Sequence, residues 1–232
     1  MKYLIVNADD FGASAGINRG ILEAHVRGVL TSTSLMVNMP AVAAAVRSSR
    51  DYPGLSIGLH VNFTNESEGP VVDLDDDEAC RAELARQFEM FGDVMGCLPS
   101  HIDSHHHVHR RRNLLPLFQD LAARHRLPLR EHSPVRFFKR FYAQWDDDTH
   151  LDWIGTENLI RLLEAALCDG VTELGCHPGY VDPLFATLYN TEREVELQTL
   201  CDPKLRAWLT DAGVALVNYH AVSSLAADAM AS

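Results

Sequence analysis

Tyr3-Leu4-Ile5-Val6-Asn7-Ala8-Asp9-Asp10 runs through four apolar residues and then turns polar, and Ile17–Arg27 follows with a helical period and Gly28 as its stop. The apolar run reads as a buried strand, and strand followed by helix is the unit of a parallel sheet. The same alternation continues along the chain. Val29–Val37 reads as a second strand and Ala41–Arg50 as a helix. Leu55–Leu59 is a third strand after the turn Tyr52-Pro53-Gly54. Asp76–Met95 is a helix capped near Asp75 or Asp76 and closed by Gly96–Pro99. Ser100–Asp103 is a strand, Asn113–His125 a helix and Leu127–Leu129 a strand. Glu131–Gly155 has no clear period and reads as a long loop that covers something. Thr156–Cys168 is an amphipathic helix with Gly170 beyond it. Val171–Gly175 and Val214–Asn218 are the last strands, separated by a helical region that Pro203 interrupts. About seven strands alternate with helices, without a repeat or linker. The expectation is a single α/β domain over residues 1–232, its strands parallel, either a barrel or a doubly wound sheet.

Composition narrows the function. Of 232 residues, 47% are hydrophobic and 22% charged, which suits a globular enzyme. Twenty basic against 32 acidic residues give a net charge of −12, so no nucleic-acid partner is expected. The acidic runs Asp73–Glu78 and Asp146–Asp148 read as solvated loops or helix starts. Five cysteines without CxxC spacing suggest reduced thiols and a cytoplasmic location. The opening apolar run is too short for a signal peptide, and no stretch approaches the roughly 20 apolar residues of a membrane span.

The chemistry-bearing residues fall just after the strands. Asp9 and Asp10 follow the first, His60 the third, His101–His109 surrounds the fourth, Arg130 follows the fifth and His177 the sixth. In parallel α/β folds the carboxyl ends of strands open on one face, so these residues would converge. Asp9-Asp10 alone would read as a solvated turn. Beside histidines, one carboxylate can bind a metal while the other faces a water to be activated. The tract His101-Ile102-Asp103-Ser104-His105-His106-His107-Val108-His109 holds five of twelve histidines. That density points to a metal, although five imidazoles cannot all bind one ion; the remainder would orient ligands or contact substrate. His60 and His177 taken singly read equally as satisfied strand-end histidines. Cys176 reads as a small buried side chain. Arg136-Phe137-Phe138-Lys139-Arg140-Phe141-Tyr142 reads as lid packing or a platform for sugar rings.

Asn7-Ala8-Asp9-Asp10-Phe11-Gly12, Gly58-Leu59-His60, the histidine-rich tract and Cys176-His177-Pro178 together resemble the YdjC-like carbohydrate deacetylases, a family that includes chitooligosaccharide and hopanoid-biosynthesis deacetylases. The resemblance extends to Asn218-Tyr219-His220. It implies a (β/α) barrel-like fold and removal of an N-acetyl group from an amino sugar. By motif position it implies Asp10, His60 and His105 as ligands of one divalent metal, magnesium or zinc first, with manganese or cobalt as alternatives. It also implies Asp9 as general base and His177 as the acid for the leaving amine. Arg130, from its strand-end position, would hold the Asp9 carboxylate. The stretch between His60 and His105 is short for the family, and that region helps shape the substrate cleft. A homodimer is compatible with this reading.

Two rival readings stand beside it. Two histidines and a carboxylate also describe non-haem iron oxygenases, which stimulation by oxygen and a 2-oxo acid would reveal. A metal-containing sugar-binding protein without turnover would release no acetate.

Overall fold

The computed structural model describes residues 1–66, 69–183 and 185–225; the last seven residues of the expected domain lie outside it. The first strand, β1 (Lys2–Phe11), is longer than its apolar run because it continues through the polar residues into the site. The helix α1 (Ala15–Arg27) starts at Ser14, whose hydroxyl accepts from Ile17 N at 3.2 Å. There follow β2 (Ser32–Leu35), α2 (Val42–Ser49), β3 (Ser56–Val61) and α3 (Asp77–Met95). The Asp76 carboxylate caps α3 by accepting from the backbone of Glu78 and Ala79, and Gly96 ends it with a left-handed φ of 72°.

The second half contains β4 (Ile102–Ser104), α4 (Leu115–His125), β5 (Arg136–Phe138), the short strands β6 (Gln144–Trp145) and β7 (Asp148–Thr149), and α5 (Thr156–Ala166). Then come β8 (Gly170–Cys176), α6 (Thr191–Cys201), α7 (Pro203–Asp211) and β9 (Val214–Leu216). Pro203 occupies the first turn of α7, where no backbone donor is needed, so the interrupted helical region is two helices.

Seven strands form one parallel sheet in the order β4-β3-β2-β1-β8-β5, with β9 beside the first half of β1. The sheet ends at β4 and β5, a curled half-barrel flanked by helices and not a closed barrel. One core cluster runs from Leu4 to Val214 through Val6, Leu35, Leu59, Ile102 and Leu174.

Two expectations need correction. The strand expected at Leu127–Leu129 is a single bridge from Leu129 to Ile102. The fifth parallel strand lies instead inside the expected loop 131–155, where Arg136–Phe138 pairs with Thr172–Leu174 of β8. That segment also holds the β6–β7 hairpin, turned by the positive-φ pair Asp146 and Asp147, and it buries Phe138, Phe141 and Ala143. Its basic residues hide the strand, because Arg136 spends its guanidinium on the carbonyls of Cys168 and Asp169 at the sheet edge.

Candidate active site

The site begins with a register slip. Ala8 pairs with Thr33 and Phe11 with Leu35, so Asp9 and Asp10 lie opposite the single residue Ser34. Asp10 takes up the extra length with a positive φ of 69°. Such a bulge re-aims side chains, and it lets two adjacent carboxylates serve different neighbours.

Asp10 faces the histidines. Its Oδ1 lies 3.4 Å from His60 Nε2 and 3.2 Å from His105 Nδ1, while Oδ2 accepts from Arg193 Nη2 at 2.7 Å. Burial opposes its ionisation, but Arg193 and the two histidines hold its carboxyl well below the usual range. His60 is fixed from behind, with Nδ1 2.7 Å from Asp103 Oδ1, which turns Nε2 toward Asp10. Burial disfavours charge on His60, yet Asp103 and Asp9 outweigh it and lift its pKa to about 10. The cluster therefore attracts positive charge, and a cation bound there would take the place of that proton.

Gly58 is explained by the same architecture. A Cβ at Gly58 would sit 2.3 Å from the His101 ring, so only glycine lets His101 pack behind the site. His101 in turn bonds Ser34 Oγ at 3.0 Å, and Ser34 donates to Asp103 at 2.6 Å.

Asp9 faces a different partner. Arg130 clamps it in bidentate fashion, Nη1 to Oδ2 at 2.8 Å and Nη2 to Oδ1 at 2.7 Å. Burial would raise its pKa, but the charge and hydrogen bonds of Arg130 together with the His60 charge keep it below the ordinary carboxylate value. Arg130 is fully buried and also serves Glu173 and Asp103. His177 stands beyond Asp9, its Nε2 3.9 Å from Asp9 Oδ2, and burial pushes its pKa down to about 4. Cys176 is buried behind it, bonded to Asn7 O, with burial raising its thiol pKa.

The structure thus brings Asp9, Asp10, His60, His105, Arg130 and His177 together at the ends of the strands. They open on, or support, a cavity of about 560 Å³ that Tyr142, Phe137 and Tyr189 also line. The other tract histidines separate by role. His109 is buried against the Ser104 hydroxyl at 2.6 Å, whereas His106 is exposed at the rim and bonds Thr64. His106 and His107 both hold positive φ, which the turn after β4 imposes.

Several residues escape the sequence reading. Arg193 and Glu196 sit on α6, whose charged sequence suggests a solvated face, yet both are buried. Their signal is spacing: Arg193, Glu196, Leu197 and Leu200 share one helical stripe. Glu196 accepts from the His177 backbone N–H and from the Tyr189 hydroxyl. Glu66, 3.3 Å from His105 Nε2, lies in an irregular segment with no pattern to mark it.

One oxygen of Asp10 and one nitrogen each of His60 and His105 lie within 4.8 Å of one another. Asp10 Oδ1 is buried and has no hydrogen-bond partner among the described residues, as a ligand awaiting a cation would be. The trios Glu66–His105–His106 and Asp9–His60–Asp103 are also close, but the carboxylates of the second are already engaged by Arg130.

Comparison with known proteins places the chain among relatives. A family model described as YdjC-like protein matches residues 3–211. A carbohydrate deacetylase of Geobacillus stearothermophilus is 38% identical over 94% of this chain and 97% of its own length. A carbohydrate deacetylase of Vibrio parahaemolyticus is 33% identical over 95% of this chain and 96% of its own. A crystal structure of a candidate cellobiose-phosphate cleavage protein from Enterococcus faecalis superposes with a TM-score of 0.84 at 29% identity, covering 95% of this chain and 98% of that one.

Proposed function

The chain belongs to the YdjC-like protein family, and we propose from that premise that it is a metal-dependent carbohydrate deacetylase releasing acetate from an N-acetylated amino sugar. The observation that carries this reading is the split of two adjacent carboxylates. Asp10 faces two imidazoles, and Asp9 is clamped by Arg130 and stands beside His177.

The residues fit a divalent ion. Asp10, His60 and His105 would hold it, and their two imidazoles favour zinc or another first-row ion over magnesium. When bound it supplies Lewis acidity, polarising the acetyl carbonyl and making a water acidic enough to attack at neutral pH.

The chain's own groups do the rest. Asp103 holds His60 by Nδ1 and leaves Nε2 for the ion. Asp9, kept ionised by Arg130, takes the proton of the attacking water at its Oδ2 edge. His177 is neutral at rest and lies within reach of that edge, so it passes the proton to the departing amine nitrogen. An amine leaves as its neutral form, and acetate and a free amino sugar result. Phe137 and Tyr142 offer aromatic surface for sugar rings along the cavity, with Tyr189 buried and stacked on Tyr142.

This base-and-acid pair beside the donor set weighs against the iron-oxygenase and binding-only readings. A cytoplasmic setting is part of this reading, and the free cysteines fit it. Among the described residues no helix is long and apolar enough to cross a membrane. The test is acetate release from a panel of N-acetylated mono- and oligosaccharides. Release from at least one sugar is expected. No release from any of them with zinc, magnesium, manganese or cobalt supplied would refute the reading.

A further inference from the structure

The groups that hold Asp9 are themselves held from the opposite side of the sheet. β9 pairs with Lys2–Leu4 at the start of β1, and the chain then crosses the amino ends of the strands. Val217 N donates to Leu4 O at 3.0 Å, Asn218 Nδ2 to Gly54 O at 3.0 Å, and Tyr219 N to Ser56 Oγ at 3.2 Å. Tyr219 enters the interior from this end, remote from the cavity mouth, and is buried. It also lies beyond the residues that the family model matches.

Its side chain packs in a small apolar cluster with Ile5, Val135 and Val222 and makes two further contacts. The ring stacks on His101 with centroids 3.8 Å apart and planes within 11°. The hydroxyl donates to Glu173 Oε2 at 2.6 Å. Glu173 then offers only Oε1 to Arg130, which donates to it from Nε at 2.9 Å and Nη2 at 2.6 Å. With one edge so anchored, the guanidinium presents Nη1 and Nη2 to Asp9.

We propose that Tyr219 is a positioning residue for hydrolysis, its hydroxyl fixing the Asp9 carboxylate through Glu173 and Arg130. The physical reason is competition. A buried carboxylate oxygen left without a donor turns to find one, and Arg130 already donates to the other oxygen of this carboxylate. Glu173 freed from Tyr219 would take both its oxygens to the guanidinium and draw it off Asp9. The inference rests on the reading of Asp9 as the base.

Tyr219→Phe removes the hydroxyl and keeps the ring on His101. For acetate release from the best N-acetylated sugar, kcat should fall roughly ten-fold, the effect of a slightly misplaced catalytic group, with KM and bound zinc unchanged. Glu173→Gln should lower kcat as well, and adding Tyr219→Phe to it should cost nothing more, because both act through one chain of contacts. If Tyr219→Phe does not fold, Glu173→Gln alone must still lower kcat at constant KM. A readout independent of turnover is the Arg130 Nε–H resonance in protein with nitrogen-labelled arginine, which should shift in Tyr219→Phe. No acetate release by the wild type, with the Arg130 resonance still shifted in Tyr219→Phe, would sink the proposed function and keep the coupling. Wild-type kcat in Tyr219→Phe, additive losses in the double variant, or an unmoved Arg130 resonance would overturn the inference.

Discussion

Arg193 donates from Nη2 to Asp10 Oδ2 at 2.7 Å and thereby leaves Oδ1 as the oxygen that faces His60 and His105. A buried carboxylate is expensive unless paired, so this contact lets Asp10 stay ionised inside the protein. It also restricts Asp10 to one oxygen toward the histidines. Arg193 reaches the site from α6, far along the chain from β1.

Arg193→Met should therefore destabilise the metal-free protein by about 3–5 kcal/mol, the usual cost of stranding a buried charge. Zinc should restore part of the loss by supplying a second partner for Asp10; the lost contact to Tyr189 O would remain. Chemical unfolding with and without zinc reads both effects. An unfolding midpoint equal to that of the wild type would deny Arg193 this role.

Asp103 orients His60, and its replacement should act on the metal before the chemistry. Asp103→Asn should weaken zinc binding about 10- to 100-fold, typical for the partner of a ligating histidine. A zinc titration with a competing chelator measures it. Undiminished affinity would mean that His60 needs no such partner.

The contrast between Asp103 and Arg193 shows what was legible in the sequence. Strand-end placement located Asp9, Asp10, His60, Arg130 and His177, because one sheet carries them all to the same edge. It located Arg130 even though the strand before it proved to be a single bridge. β5 was hidden because three residues give no period and Arg136 disguises it as a polar loop. Arg193 and Glu196 were hidden because a charged helix normally faces water, and here it supplies the guanidinium that pairs with Asp10 and the carboxyl that holds His177 and Tyr189. The bulge itself has no sequence signal, since it depends on the register of β1 against β2.

His177→Gln should keep the bound metal and lose turnover by roughly 10² to 10⁴, the range for a missing proton donor. Steady-state acetate release, set beside metal content, separates the two. Turnover within a factor of two of the wild type would remove His177 from the proton path.

Glu196 gives the protein a pH signature. Burial raises its pKa to about 8, against an ordinary value of 4.5. Between these values the folded protein keeps a proton that the unfolded chain has released. Its contribution is therefore full below about pH 4.5 and is lost as pH rises through about 8. Unfolding free energies of wild type and Glu196→Gln should diverge across that window, with the wild type losing ground toward the alkaline side. Parallel curves would show that Glu196 titrates normally.

The central claim is that Asp10 serves the metal and Asp9 the proton. Bound zinc and acetate release, measured on the same preparations of Asp9→Asn and Asp10→Asn, test it most directly. Asp9→Asn should keep near-full zinc and lose roughly 10² to 10⁴ of turnover, without rescue by added metal. Asp10→Asn should bind zinc weakly, because an amide oxygen is a poorer ligand, and should recover part of its activity when zinc is raised. Loss of zinc in Asp9→Asn with full zinc in Asp10→Asn would contradict the assignment, and near-wild-type activity in both would contradict the mechanism.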